Sequence, residues 1–256
     1  MVQRLEMYAL PDFPMVEPGD DLVAQIAQSV AGAGLSLRDS DIIVVAQKIV
    51  SKAENRYAYL KQVTVSAEAK VLAESAAKDP RLVQVILDES VEVIKHRPGA
   101  IIVEHRLGYV HANAGIDQSN ISSDSQNPRV LLLPRDPDAS AARLRAGLHR
   151  ETGAEVAFII NDSAGRAWRN GTLGFAIGTA GFEPVADLIG QKDLFGRTLE
   201  ATTVAVADEL AAGASFLMGQ AAEAAPVVLI RGAGLPVAEA GSRSLLRSRE
   251  QDLFRS

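Results

Sequence analysis

The chain has 256 residues, a formal net charge of -6 at pH 7, 47% hydrophobic and 23% charged residues, and no cysteine. That length buries a real core in one large domain or two small ones. The acidic balance argues against a nucleic-acid binder, which needs a basic face, and the missing cysteine excludes disulfides, thiolate metal sites and a cysteine nucleophile.

Residues 1–12 lack the apolar run of a signal peptide, and no stretch reaches the ~20 apolar residues of a membrane span, so a cytoplasmic protein without membrane contact is expected. Pro18-Gly19-Asp20-Asp21 reads as a turn. Asp20 or Asp21 then caps a helix through Leu22, Ile26 and Val30, which Gly32 and Gly34 end. Residues 41–46 read as a buried strand by length and β-branching. Ser66 caps a helix with Glu68 in its first turn, and Asp79-Pro80 starts another that carries Leu82, Val85, Ile86 and Glu89. Pro98-Gly99 is a turn, followed by a hairpin of residues 100–104 and 109–112 around Leu107-Gly108. Residues 130–133 form a short buried strand. Asp136-Pro137-Asp138 opens a helix with Ala141, Leu144 and Leu148 on one face and Gly153 as its stop.

Residues 156–160 read as a strand that runs into Asn161-Asp162-Ser163, and residues 173–178 as a Gly-spaced strand. A long Ala-rich helix over 202–217, a late strand over 227–230 and an Arg-rich tail to Ser256 complete the chain. Helices and strands mix without strict alternation. The fold class expected is α+β, with mixed or antiparallel sheets and flanking helices, over one unit of residues 1–256 that allows two subdomains. There is no Gly-x-x-x-x-Gly-Lys-Ser/Thr and no Gly-x-Gly-x-x-Gly after a strand, so neither a P-loop nor a Rossmann fingerprint is present.

Three polar segments stand where a core does not need them: 111–120, 159–171 and Met218-Gly219-Gln220. Asp117, Asp162, Ser163 and Gln220 supply the oxygen ligands that Mg²⁺ or Mn²⁺ prefers. Lys48, Lys52, Arg166 and Arg169 offer charge for phosphates or carboxylates. Taken singly, each has a plainer reading. Asp117 suits a turn, Asp162-Ser163 a helix cap or Asx-turn, Gln220 the end of a helix, Lys52 a solvated charge and Trp168 packing. His96, His105, His111 and His149 show no ligand spacing and read as surface or packed residues.

The ordered set of segments resembles the free-standing coenzyme F420-0:L-glutamate ligase family over almost the whole chain. It runs through Leu10-Pro11, Pro18-Gly19-Asp20-Asp21-Leu22, Val50-Ser51-Lys52-Ala53-Glu54, 113–120, 133–140, an Asn161-Asp162-Ser163 loop, 206–212, Met218-Gly219-Gln220 and Arg231-Gly232. The resemblance implies that GTP, as co-substrate, phosphorylates the carboxylate of coenzyme F420-0. L-glutamate then displaces phosphate, and further γ-linked glutamates follow the same chemistry. It implies two divalent ions per site, Mg²⁺ or Mn²⁺, with K⁺, and an intertwined homodimer. Asp117 and Asp162 are then the catalytic pair. Asp117 serves as a shared metal ligand, Asp162 as a ligand of the first metal, and Ser163 and Gln220 as ligands of the second.

By the same resemblance, Leu10, Pro11, Asp12, Phe13, Gln47, Lys48, Lys52, Asn120, Met218, Gly219, Gln220 and Ala221 fall at nucleotide positions. Ser163 stands where relatives often carry threonine, Gln47-Lys48 replaces a small hydroxyl pair, and Glu223-Ala224-Ala225 replaces a Gly-rich loop. No C-terminal flavin-binding domain is expected. The rival readings are an amide ligase with another carboxylate acceptor and a nucleotide or deazaflavin carrier without turnover.

Overall fold

The computed structural model describes residues 4–253, so residues 1–3 of the N-terminal stretch and residues 254–256 of the Arg-rich tail lie outside the described residues. The elements are, in chain order, β1 (Glu6–Ala9), α1 (Leu22–Gly32), β2 (Ile42–Ala46), α2 (Gln47–Ala53), β3 (Tyr57–Tyr59), α3 (Ala67–Ala76), α4 (Pro80–Asp88), β4 (Ser90–Arg97), β5 (Ala100–His105) and β6 (Val110–Ala112). They continue with β7 (Arg129–Leu131), α5 (Pro137–Thr152), β8 (Ala157–Arg166), β9 (Arg169–Ala180), β10 (Ala186–Asp187), β11 (Thr203–Val204), α6 (Val206–Met218) and β12 (Val227–Arg231). Short polar side chains start four of the helices by taking up backbone N–H groups. Asp21 caps α1, Ser66 caps α3, Asp79 caps α4 and Asp136 caps α5.

The main sheet has the order β1-β12-β2-β8-β9. The β2–β8 pair is parallel and the other pairs are antiparallel. β2 and β12 are apolar on both faces, so the sheet is buried on both sides. One face packs on α1 and α5 through Ile26, Leu144, Leu148 and Phe158. The other packs on α6 through Ala207, Ala211, Ala214 and Ile159. The stretch from β3 to β7, inserted between α2 and α5, builds a second lobe. Sheets β4-β5-β6 and β3-β7 there enclose a third apolar cluster with α3 and α4, including Val83, Ile86, Ile101 and Val130. The fold is mixed α and β with mixed and antiparallel sheets, as expected.

Several boundaries differ from expectation. Asn161-Asp162-Ser163 is no loop but the middle of β8, which continues to Arg166. A register shift between Ile160 and Asn161 marks the point where the strand bends. β9 begins at Arg169, four residues earlier than the reading, because the outer β8–β9 ribbon is exposed on both faces and shows no alternation. Glu89 caps the end of α4 rather than extending it, and β4 follows at once. The long helix starts at Val206.

Candidate active site

Four chain segments meet at one end of the main sheet's strands because of the strand directions. Parallel β2 and β8 end their pairing at Ala46 and Asn161. β2 turns there into α2, while β8 runs on and carries Asp162 and Ser163 past its neighbour. The start of β12 lies beside them, with Ala46 N donating to Pro226 O at 2.8 Å. The end of β1 is tied in by Leu10 N donating to Val227 O at 2.9 Å. The result is a cleft of about 590 Å³. It is walled by Phe13 to Val16, the start of α2, the 120–122 loop, Asn161 to Ser163 and the segment from Met218 to Pro226.

Asp117 comes from the other lobe. After β6 a tight turn over Asn113–Gly115 leads into an extended stretch. Asp117 N and O there bond the O and N of Leu131, each at 2.9 Å. Its Oδ2 accepts from Gln47 Nε2 at 2.6 Å, and its Oδ1 lies 3.3 Å from Lys48 Nζ. Burial, reinforced by the nearby Asp162, outweighs Lys48 and pushes the Asp117 carboxyl up to about 6.

Asp162 is 9% exposed, and its Oδ1 accepts from Ser163 N at 2.8 Å. Its Oδ2 lies 3.3 Å from His111 Nε2. Both of these atoms are buried without a hydrogen bond of good geometry, so the contact is charge attraction rather than a directed bond. Burial disfavours the charged imidazole, yet Asp162 outweighs it and raises the His111 pKa above its ordinary value. His111 Nδ1 lies 3.1 Å from Ala112 O and the ring rests against Phe175.

Lys52 lines the cleft at 8% exposure, and burial followed by the nearby Lys48 and Arg129 lowers its pKa despite the pull of Glu17. Across the mouth, Asn120 Nδ2 donates to Ala221 O at 2.9 Å. Gln220 Nε2 donates to Ser215 Oγ at 3.1 Å, which fixes the amide at the end of α6. Glu223 folds back so that Oε2 accepts from Ala221 N at 2.8 Å, and backbone N–H groups hold its pKa below the ordinary value.

This arrangement of two carboxylates, a hydroxyl, an amide and two lysines lies within a match that spans most of the chain. The profile of the F420-0:Gamma-glutamyl ligase family matches residues 12–232. The chain belongs to that family. The coenzyme F420:L-glutamate ligase of Methanothermobacter thermautotrophicus is 46% identical over 98% of this chain and 99% of its own length. Those of Methanocaldococcus jannaschii and Archaeoglobus fulgidus are 42% and 41% identical, again over nearly the full length of both chains.

For this F420-0:gamma-glutamyl ligase family member, the expected residues separate into groups. Asp162, Ser163, Gln47, Lys48, Lys52, Asn120, Met218, Gly219, Gln220 and Ala221 all line the cleft. Asp117 stands behind Gln47 and Lys48 and reaches the cleft through them. Of the N-terminal four, only Phe13 lines it. Leu10 is buried in the main core, while Pro11 and Asp12 are exposed beside it. The lining residues of this segment are instead Phe13 to Val16.

Arg166 and Arg169 face each other at the outer end of the β8–β9 ribbon and do not line the cleft. Asp117 is not in a turn, and Lys52 is not solvated. Sequence reasoning missed His111 and Ser215. His111 opened a singled-out polar segment, but its partner Asp162 lies far along the chain, so no spacing could mark the pair.

Proposed function

We propose that this chain is a GTP-dependent ligase that joins L-glutamate to coenzyme F420-0 through an acyl phosphate, with further γ-linked glutamates added by the same chemistry. The observation that carries the reading is a cleft lined by Asp162, Ser163, Gln220, Lys48 and Lys52, with Asp117 bonded behind it to Gln47 and Lys48, in a chain whose relatives are coenzyme F420:L-glutamate ligases. A carboxylate resists attack by an amine, and phosphorylation converts its oxygen into a leaving group.

The residues present fit a pair of divalent cations. Asp162 Oδ2 is a buried acceptor without a hydrogen bond, which a hard cation would satisfy. Among the described residues no three His, Cys, Asp or Glu side chains cluster as a metal cage. That suits a cation held by one or two carboxylates and completed by substrate phosphates and waters. Asp117 and Asp162 would hold Mg²⁺ or Mn²⁺, with the Ser163 hydroxyl and the Gln220 carbonyl oxygen on a second ion. When bound, the ions neutralise the transferring phosphoryl group.

The protein's own part is positioning. Lys48 and Lys52 offset triphosphate charge, and a bound anion would favour the charged form that burial of Lys52 disfavours. The Asn120–Ala221 bond ties the 120–122 loop to the segment after α6. K⁺ dependence and a homodimer belong to the same reading. The test is incubation of the purified protein with GTP, L-glutamate, Mn²⁺ and coenzyme F420-0. The expected products are GDP, phosphate and a coenzyme heavier by whole glutamyl units. GTP hydrolysis with no mass gain on this acceptor would turn the reading toward another carboxylate. Ligand binding with no hydrolysis would turn it toward a carrier.

A further inference from the structure

We propose that Gln47 is a positioning residue for Asp117 and that its side chain does not read the nucleotide. Both ends of its amide are already committed. Nε2 donates to Asp117 Oδ2 at 2.6 Å, and Oε1 accepts from the Ser51 hydroxyl at 2.8 Å. Gln47 is 1% exposed and Ser51 is fully buried, so water does not compete for either bond.

The orientation of the amide follows from chemistry. A carboxylate only accepts, so the nitrogen end must face Asp117 and the oxygen end must face Ser51. Ser51 sits four residues along α2, one helical turn away, and touches Gln47 from the same face. The chain Ser51–Gln47–Asp117 thus connects the main body to the extended stretch from the other lobe, and it restrains rotation of the carboxylate.

A neutral donor suits this task. It restrains one Asp117 oxygen without adding a positive charge of its own, and leaves Oδ1 beside Lys48, which lines the cleft. Groups that orient a metal ligand in this way change metal affinity or activity by about 10–100-fold when removed. The inference rests on the reading of Asp117 as a metal ligand.

The test titrates Mn²⁺ into the purified full chain and follows the electron paramagnetic resonance signal of free Mn²⁺. Wild type, Gln47→Leu and Ser51→Ala are compared, with KM for GTP measured at saturating Mn²⁺. Gln47→Leu is expected to weaken Mn²⁺ binding by about 10–100-fold, while KM for GTP at saturating metal stays unchanged. Ser51→Ala is expected to weaken Mn²⁺ binding less, since the amide keeps its bond to Asp117.

Unchanged Mn²⁺ affinity in Gln47→Leu overturns the proposal, and a raised KM for GTP alone would return Gln47 to nucleotide contact. If Gln47→Leu does not fold, Ser51→Ala decides, and unchanged Mn²⁺ affinity there overturns the proposal. Absence of Mn²⁺ binding by wild type would remove the metal reading of Asp117 itself, a result distinct from wild-type binding that the variants share.

Discussion

At the scale of single residues, Asp162 is where the proposed metal chemistry is most directly tested. Its buried Oδ2 lies 3.3 Å from His111 Nε2 and accepts no hydrogen bond. Asp162→Asn keeps the shape and removes the carboxylate charge. Turnover is expected to fall by more than about 100-fold, beyond what an outer-sphere change produces, with the circular dichroism spectrum retained. Near-normal turnover would contradict the proposed metal role of Asp162. Away from the cleft, Glu89 shows how a half-buried carboxylate stabilises the lobe. Its Oε2 lies 3.1 Å from Arg56 Nη2 and 3.6 Å from His105 Nε2, and its Oε1 lies 2.7 Å from Arg106 Nη2. Burial alone raises its pKa, but His105, Arg56 and Arg106 together hold it below the ordinary value. A depressed carboxylate contributes stability above its unfolded pKa and loses that contribution as pH falls through the folded one. Glu89→Gln should therefore cost about 2 kcal/mol near neutral pH, a loss that shrinks on acidification below the ordinary carboxylate range. Denaturant melts across pH would show it, and an equal loss at every pH would contradict it.

At the scale of elements, the β8–β9 ribbon and α6 hold the cleft wall together. Gly174 on β9 faces α6, and an added methyl would meet Asn161 Oδ1, Ser215 Cβ and Ala211 O at about 2.5 Å. Gly174→Ala must push α6 outward or bend the ribbon, and should cost about 1–3 kcal/mol by denaturant unfolding. Because Ser215 is the partner of Gln220, the same change should weaken metal binding. Unchanged stability would mean that α6 has room to give. The elements differ in how well the sequence announces them, for reasons visible here. Helices α1, α3, α4 and α5 carry capping side chains and a helical apolar stripe, and their starts were legible. Helix α2 has no side-chain cap, so nothing marked its start at Gln47. Strand β1 is half-buried throughout and the outer β8–β9 ribbon is exposed, so neither shows a two-residue alternation. Within the site, the oxygen-bearing residues were legible as candidates by type and by resemblance. Their partners Gln47 and His111 were not legible as partners, because pairing across distant segments leaves no local trace, and Ser215 was hidden as one small residue within an Ala-rich helix.

The whole molecule presents an unusual surface near β10 and β11. In the segment between these two strands Leu194 is 99% exposed and Phe195 is 90% exposed, and Ile189 is also exposed. A homodimer of the kind implied by the resemblance would cover apolar side chains such as these, and such residues rarely stand together in water without a partner. Sedimentation equilibrium is expected to give twice the chain mass, and Phe195→Asp should shift the distribution toward the single chain. A single-chain mass at every concentration would contradict the dimer.

The central strands β2 and β8 lie side by side although the entire second lobe is spelled out between them. Closing so long a stretch is slow, since the entropy of the connecting chain must be lost before the contact gives anything back. Lys48 just after β2 and Asp162 on β8 share one cleft only once that closure is made. The cleft is therefore expected to close late in folding, after the segments that wall it have formed.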